Sequence, residues 1–294
     1  MKIFAVIVTY NGMKWIDWCL ASLQHSTHPV TPILVDNGST DGLREHIPHH
    51  HPDAVWLPQD GNLGFGRANN LGIRYALDHG ADAVLLLNQD AAISTDMLEQ
   101  LVKNDDGNSL LTPIHLNGKG ERIDFQFKRS LTQSGNLLLD HFAIGYVASK
   151  YPIGMFCAAC WYIPVAVLQK VGGFSPLFYH YGEDDNLYNR MVFHGVKSYV
   201  IPGVFMYHDR EEHGNMTLFN KKKLRREYLV AATNLNLSRS ARLNRYYRVW
   251  ANNKSHTAAF LAATAWMIGH SAEIRRYRHT ESQQGPTWLT AEQK

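Results

Sequence analysis

The chain has 294 residues, of which 45% are hydrophobic, 19% charged and 11% aromatic. That is enough to bury one large core or two modest ones, and the composition excludes collagen, coiled coil and bulk disorder. The formal charge of +3 singles out no class of partner, and three cysteines are too few for a disulfide framework, so a reducing compartment is expected. Residues 3–8 (IFAVIV) read as a buried strand that runs straight into Thr9-Tyr10-Asn11-Gly12 without a small-residue cleavage site, so no secretory leader is expected. Ile16, Cys19, Leu20 and Leu23 then fall on one face of a helix. Ile33–Val35 is a second strand, closed by Asp36-Asn37-Gly38-Ser39-Thr40-Asp41, which is turn and helix-cap chemistry. A short helix around 41–46, a strand near Ala54–Leu57, a helix from Gly64 to His79 and an all-apolar strand Ala83–Leu87 complete the first ninety residues.

Strands alternating with helices predict an α/β fold with a mostly parallel, doubly wound sheet. Such sheets bind ligands beyond the carboxyl ends of their strands. Three strand ends here carry polar clusters: Thr9-Tyr10-Asn11, Asp36–Asp41 and Asn88-Gln89-Asp90.

From about residue 105 the rhythm changes. An apolar stretch covers 153–163, a short helix starts at Pro164 and stops at Gly172-Gly173, and an acidic run, Glu183-Asp184-Asp185, follows. Ser198–Ile201 is strand-like and leads to His208. Residues 221–294 hold 14 Lys+Arg against 4 Asp+Glu, whereas residues 1–220 hold 15 against 22. The small net charge therefore joins an acidic body to a basic, mainly helical extension. Arg239, Arg242, Arg245 and Arg248 recur at helical-neighbour spacing. The apolar stretch Ala258–Gly269 is too short to span a bilayer.

Several of these residues suit specific chemistry. Asp36, after a buried strand, can accept from a base N–H or a ribose hydroxyl. Asn62-Leu63-Gly64-Phe65-Gly66-Arg67 opens a helix and suits close approach of a phosphate. Asp90 at its strand end can ligate a divalent cation that also holds a diphosphate. Glu183-Asp184-Asp185 is flanked by aromatic residues, which would raise a carboxylate's pKa and suit it to general-base work. Cys157 and Cys160 form a CxxC inside an apolar run and read as buried thiols rather than a redox pair.

In order along the chain, Val8-Thr9-Tyr10-Asn11, Val35–Asp41, Asn62–Asn70, Leu87–Asp90 and Gly182–Asp185 resemble the motifs of family 2 glycosyltransferases of the GT-A fold, near the bacterial rhamnosyltransferase-like members. The resemblance implies a GT-A domain over 1–215, with a nucleotide-sugar half (1–104) and an acceptor half (105–215), followed by the basic extension 216–294. It implies an inverting, metal-dependent transfer from a nucleoside-diphosphate sugar to a glycan or lipid-linked hydroxyl, in bacterial surface polysaccharide synthesis. Thr9, Tyr10, Asn11, Asp36, Gly64, Arg67, Asn69, Asn88 and Gln89 would bind the donor, and Asp90 and His208 a Mg2+ or Mn2+ ion. Asp184, with Glu183, would be catalytic, and Trp161, Tyr181 and Asp185 would lie on the acceptor side. Two positions depart from the pattern: Asn88 stands where a D-x-D motif has its first acid, and Asn186 where an acid often follows the E-D pair.

Two alternatives stand beside this reading. A sugar nucleotidyltransferase would need a Gly-rich, basic signature after the first strand, which Thr9–Gly12 lacks. A catalytically silent nucleotide-sugar-binding module is kept open by Asn88 and opposed by Asp90, Glu183 and Asp184. No nucleic-acid partner is expected, since the extension has no reading motif. Its arginines, with Tyr246, Tyr247, Trp250, Phe260, Leu261 and Trp266, suit an anionic membrane surface or self-association. The expected location is cytoplasmic, or peripheral at the inner face of the membrane.

Overall fold

Strand β1 (Ile3–Thr9) is buried along almost its whole length, and its side chains divide between two cores. Phe4 and Val6 point to one face of the sheet, and Ile3, Ala5 and Ile7 to the other, as the two-residue period of a strand requires. A central strand covered on both faces reads as a continuous apolar run for this reason. The computed structural model describes residues 1–210, 221–251 and 257–290. The expected boundary at 215/216 lies outside them.

In chain order the elements are β1, α1 (Ile16–Gln24), β2 (Val30–Asp36), α2 (Leu43–His50), β3 (Val55–Pro58), α3 (Phe65–Asp78), β4 (Ala83–Leu87), β5 (Ala91–Ile93), α4 (Met97–Lys103), β6 (Ser109–Asn117), α5 (Phe125–Gln133), α6 (Leu138–Ala143), β7 (Tyr151–Pro152), β8 (Cys160–Pro164), α7 (Val165–Val171), α8 (Glu183–Phe193) and β9 (Lys197–His208). Four further helices follow: α9 (Lys221–Thr233), α10 (Arg239–Ala251), α11 (Thr257–Gly269) and α12 (Ser271–Ser282).

One nine-stranded sheet runs in the order β3-β2-β1-β4-β8-β6-β9-β5, with β7 added on β9. Its first four strands are parallel, as the alternating pattern predicts. Beyond β4 the sheet is mixed, because β8 enters antiparallel to both β4 and β6 while β6 and β9 are parallel. Helices α1, α2 and α4 cover one face, and α3, α5, α7 and α8 the other. The carboxyl ends of β1, β2 and β4 open on one edge, and β9 brings His208 to the same edge by pairing antiparallel with β5.

The extension is joined to the body. Phe178 packs with Leu229, Ala232 and Ile274. Gly173 N–H donates to the Thr287 carbonyl at 2.8 Å, and Leu289 joins the main core. The fully buried Arg190 donates from Nε to Asn186 Oδ1 at 3.1 Å, and Asn186 Nδ2 donates to Glu281 Oε2 at 3.1 Å. Asn186, the departure noted in the sequence, is thus a neutral bridge between a buried guanidinium and a buried carboxylate from α12. Buried charges persist only with such partners. No helix among the described residues is long and apolar enough to cross a membrane.

Candidate active site

The loops after β1 and β2 are laced together. Asn11 sits in the left-handed region at φ 49°. Its N–H donates to Ser39 Oγ at 3.0 Å, and its side-chain oxygen accepts from Thr40 N–H at 2.9 Å. Asp36 is fully buried, with oxygens that accept from Ser39 N–H, Thr9 Oγ1 and Arg44 Nε. Its carboxylate helps hold the two loops, and Thr9, equally buried, belongs to the same lock. Tyr10 and Asn11 remain exposed beside it. Gln89 also works internally, since its amide exchanges two hydrogen bonds with the Tyr10 backbone, at 2.9 and 3.2 Å.

At the start of α3, Gly64 has φ +85°, and a side chain there would collide with the Tyr179 backbone carbonyl. The glycine thus admits the 179–181 loop and is itself buried. Asn69 is turned inward as well, its Nδ2 donating to the Phe65 carbonyl at 3.0 Å one turn back. A short amide on the core side of a helix finds its own backbone before any ligand. Arg67 is exposed and reaches the Pro176 carbonyl at 3.2 Å.

Asn88, Asp90 and His208 converge. His208 Nε2 lies 3.3 Å from Asp90 Oδ1 and 3.4 Å from Asn88 Nδ2, and the imidazole is buried with Nδ1 unpartnered. Burial opposes ionisation of Asp90, but the hydrogen bond and charge of His208, with the charge of Arg210, outweigh it and hold the carboxyl below its ordinary value. A carboxylate, an amide and an imidazole on adjacent strand ends form an oxygen-rich donor set that fits Mg2+ or Mn2+.

Glu183, Asp184 and Asp185 form the first turn of α8, and Gly182 before them is left-handed. Burial pushes all three carboxyls up, Glu183 to about 7 and Asp185 to about 6, while the nearby Arg226 pulls each back. Glu183 faces inward, with Oε2 unpartnered. Asp184 instead lines a cavity of about 200 Å³ with Gln126, Ser130, Phe156, Cys157 and Arg210. Tyr181, with φ 66°, is exposed beside the run and stacks against the Arg226 guanidinium at 5.1 Å. Trp161, expected on the acceptor side, is fully buried in β8 beneath Phe156. A strand walled by helices on both faces leaves no open surface for it. The thiols of Cys157 and Cys160 are pushed up by burial, and all three cysteines are free.

Arg210 escaped the sequence reading. It faces Cys157 at 3.9 Å, lines the Asp184 cavity and acts on Asp90, so one cation lies between the two acidic groups. Its place two positions beyond His208 was the available signal. Asp209 between them accepts from Trp15 Nε1 at 2.7 Å, which ties α1 to the end of β9.

Residues 4–172 match the sequence profile of glycosyl transferase family 2. The chain belongs to that family. The match ends before α8 and reaches neither Asp184 nor His208. Over 233 residues the chain is 26% identical to the N-acetylglucosaminyl-diphospho-decaprenol L-rhamnosyltransferase of Mycobacterium tuberculosis, covering 70% of this chain and 75% of that one. It is 28% identical over 159 residues to the low-salt glycan biosynthesis hexosyltransferase Agl10 of Haloferax volcanii, which is 52% of this chain and about half, 50%, of that relative's length. Among solved structures it is similar to the mannosyltransferase PcManGT of Pyrobaculum calidifontis in complex with GDP-Man and Mn2+. That likeness has a TM-score of 0.57 at 16% identity, over 98% of this chain and 84% of that one. It establishes the shared GT-A fold. Family membership makes this chain a glycosyltransferase by descent.

Proposed function

We propose that this family 2 enzyme transfers a sugar from a nucleoside-diphosphate donor to a glycan or lipid-linked hydroxyl with inversion. The observation that carries the reading is the convergence of Asn88, Asp90 and His208 at one strand edge, joined through Arg210 to the cavity that Asp184 lines. The nucleoside packs along the exposed side of the Tyr10–Asn11 and Ser39–Thr40 loops, whose shape Thr9 and Asp36 maintain. Asp90 and His208, assisted by the Asn88 amide, would hold a Mg2+ or Mn2+ ion. When bound, that ion supplies positive charge against the leaving diphosphate.

Asp184 accepts the proton of the acceptor hydroxyl, whose oxygen forms the new bond to the anomeric carbon. The bond from that carbon to the diphosphate oxygen breaks on the opposite face, so a single displacement inverts the centre. Arg210 adds fixed positive charge between base and leaving group, where negative charge grows in the transition state. Tyr181 and Asp185 flank the acceptor's entry, and Glu183 supports the turn from within.

A lipid-linked acceptor is favoured by the extension. An apolar cavity of about 490 Å³ there is lined by Tyr228, Tyr246, Trp250, Phe260 and Met267, with Arg242, Arg275 and Arg278 among its walls. Apolar walls with arginines suit a chain carrying an anionic head, and the same helices suit peripheral contact with an anionic membrane face. The deciding experiment offers thymidine, uridine and guanosine diphosphate sugars with Mn2+ and short prenyl-diphosphate glycans. It follows release of nucleoside diphosphate and the anomeric configuration of the product. Donor binding without turnover under every combination would replace this reading with a silent nucleotide-sugar-binding module.

A further inference from the structure

On the far side of the donor loops, three ligating side chains meet. His46 Nε2 and His51 Nε2 approach the same oxygen, Asp17 Oδ1, at 2.7 and 2.8 Å. The three ligating atoms all lie within 4.8 Å of one another. We propose that Asp17, His46 and His51 form a second metal site, separate from the Asp90 site, that takes a borderline divalent ion such as Zn2+.

The donor set argues for the ion class. Two imidazoles and a carboxylate are typical ligands of Zn2+, Ni2+ and Cu2+, whereas Mg2+ and Mn2+ prefer oxygen-rich sets such as Asn88 and Asp90 supply. Three protein ligands leave a fourth, solvent-facing position for water. Both imidazoles now direct Nε2 at one oxygen. Tetrahedral ligands at about 2.0–2.2 Å from an ion lie about 3.4 Å apart, so the ion requires each Nε2 to move back from Asp17 Oδ1 by roughly 0.6 Å and each ring to carry its proton on Nδ1.

The local structure holds the ligands ready. Asp17 is in the first turn of α1, His46 lies in α2 and His51 caps its end with N–H bonded to the Ile47 carbonyl at 2.8 Å. The His50 ring stacks on His46 at 4.2 Å, and its Nδ1 meets the His46 carbonyl at 3.0 Å, which fixes the plane of the ligand ring. Both ligand rings are mostly covered while Asp17 is 60% exposed, so an ion can enter from solvent.

The position gives the site a consequence. Helix α1 follows the Tyr10–Asn11 loop and α2 follows the Asp36–Asp41 loop, and the two loops already share hydrogen bonds from Asn11 and from Met13 N–H to Asp41 Oδ2. An ion bridging α1 to α2 clamps the two helices that carry the nucleoside-facing loops.

The test uses the whole chain, stripped with chelator and titrated with ZnCl2 by calorimetry and with CoCl2 by visible absorption, both in the wild type and on an Asp90→Asn background. The expected result is one equivalent of Zn2+ that survives Asp90→Asn. Asp17→Asn or His51→Ala should weaken it more than about tenfold, with loss of the bound-Co2+ spectrum and of the Zn2+-induced rise in Tm. All three residues lie outside the two sheet cores, and circular dichroism checks that the variants fold. Zinc affinity and the Co2+ spectrum unchanged in both variants, or no equivalent bound on the Asp90→Asn background, would overturn the proposal.

Discussion

Asp90 and Asp184, which we propose serve one active site, have surroundings that treat them in opposite ways. Both are largely covered, and burial alone raises both. Asp90 faces His208 and feels Arg210, so its carboxyl ends below the ordinary range. Asp184 is raised by burial, which backbone N–H donors and the charge of Arg226 offset only in part, so its carboxyl ends above it. A site that separates the pKa values of its carboxylates assigns their work: the one held ionised suits a cation, and the one held up suits a proton. Sequence shows two acids after two apolar stretches; partner geometry distinguishes them.

The strongest test of that contrast is Asp184→Asn, which should reduce turnover by about 10²–10⁴ while leaving donor affinity near wild type. Steady-state kinetics with calorimetric donor binding would check it, and unchanged turnover would remove Asp184 from the mechanism. Next in size is Glu183→Gln, read as stability. The folded-state value of about 7 exceeds the ordinary value of 4.5, so the folded protein resists ionising a group that the unfolded chain ionises freely. The penalty is absent below pH 4.5, grows between 4.5 and 7, and is complete above. Glu183→Gln should therefore stabilise the fold at pH 8 by at most about 3 kcal/mol and change little at pH 4, as urea unfolding at both values would measure.

Asp90→Asn should raise the Mn2+ concentration for half-maximal turnover by about tenfold or more, with a small effect on global stability. A metal titration of initial rates reads this directly, and an unaltered curve would detach Asp90 from the cation. The smallest effect is expected for Arg226→Ala. Arg226 favours the charged form of Asp184, so its removal raises that carboxyl further and moves the acidic limb of the rate profile to higher pH. A shift to lower pH would show that the limb belongs to another group.

The order of the five motifs identified the family, and the apolar strands marked the sheet edge where Tyr10–Asn11, Ser39–Thr40 and Asn88–Asp90 gather. The individual donor contacts were less legible. Asp36, Gly64, Asn69 and Gln89 carry residue types that suit a nucleotide, and each also has a partner within the protein that the sequence does not show: a loop lock, a close backbone approach, a helix carbonyl and a strand-end amide pair. The resemblance implies an acceptor-side place for Trp161, whereas the residue is fully buried. Its burial follows from β8 threading between β4 and β6, a long-range pairing that local periodicity does not encode.

By itself, then, the sequence determined the local chemistry: where strands end, which ends carry acids and amides, and that a basic segment follows an acidic body. Those properties depend on neighbours in the chain, where propensity, period and capping operate. Only the tertiary structure decided which polar groups were left over for a ligand. It brought His208 to Asn88 and Asp90, placed Arg210 in the Asp184 cavity, and turned the basic extension back onto α8 so that Arg226 stacks on Tyr181 and Glu281 meets Asn186. Each depends on groups far apart in sequence, and electrostatics and burial are set by distance in space.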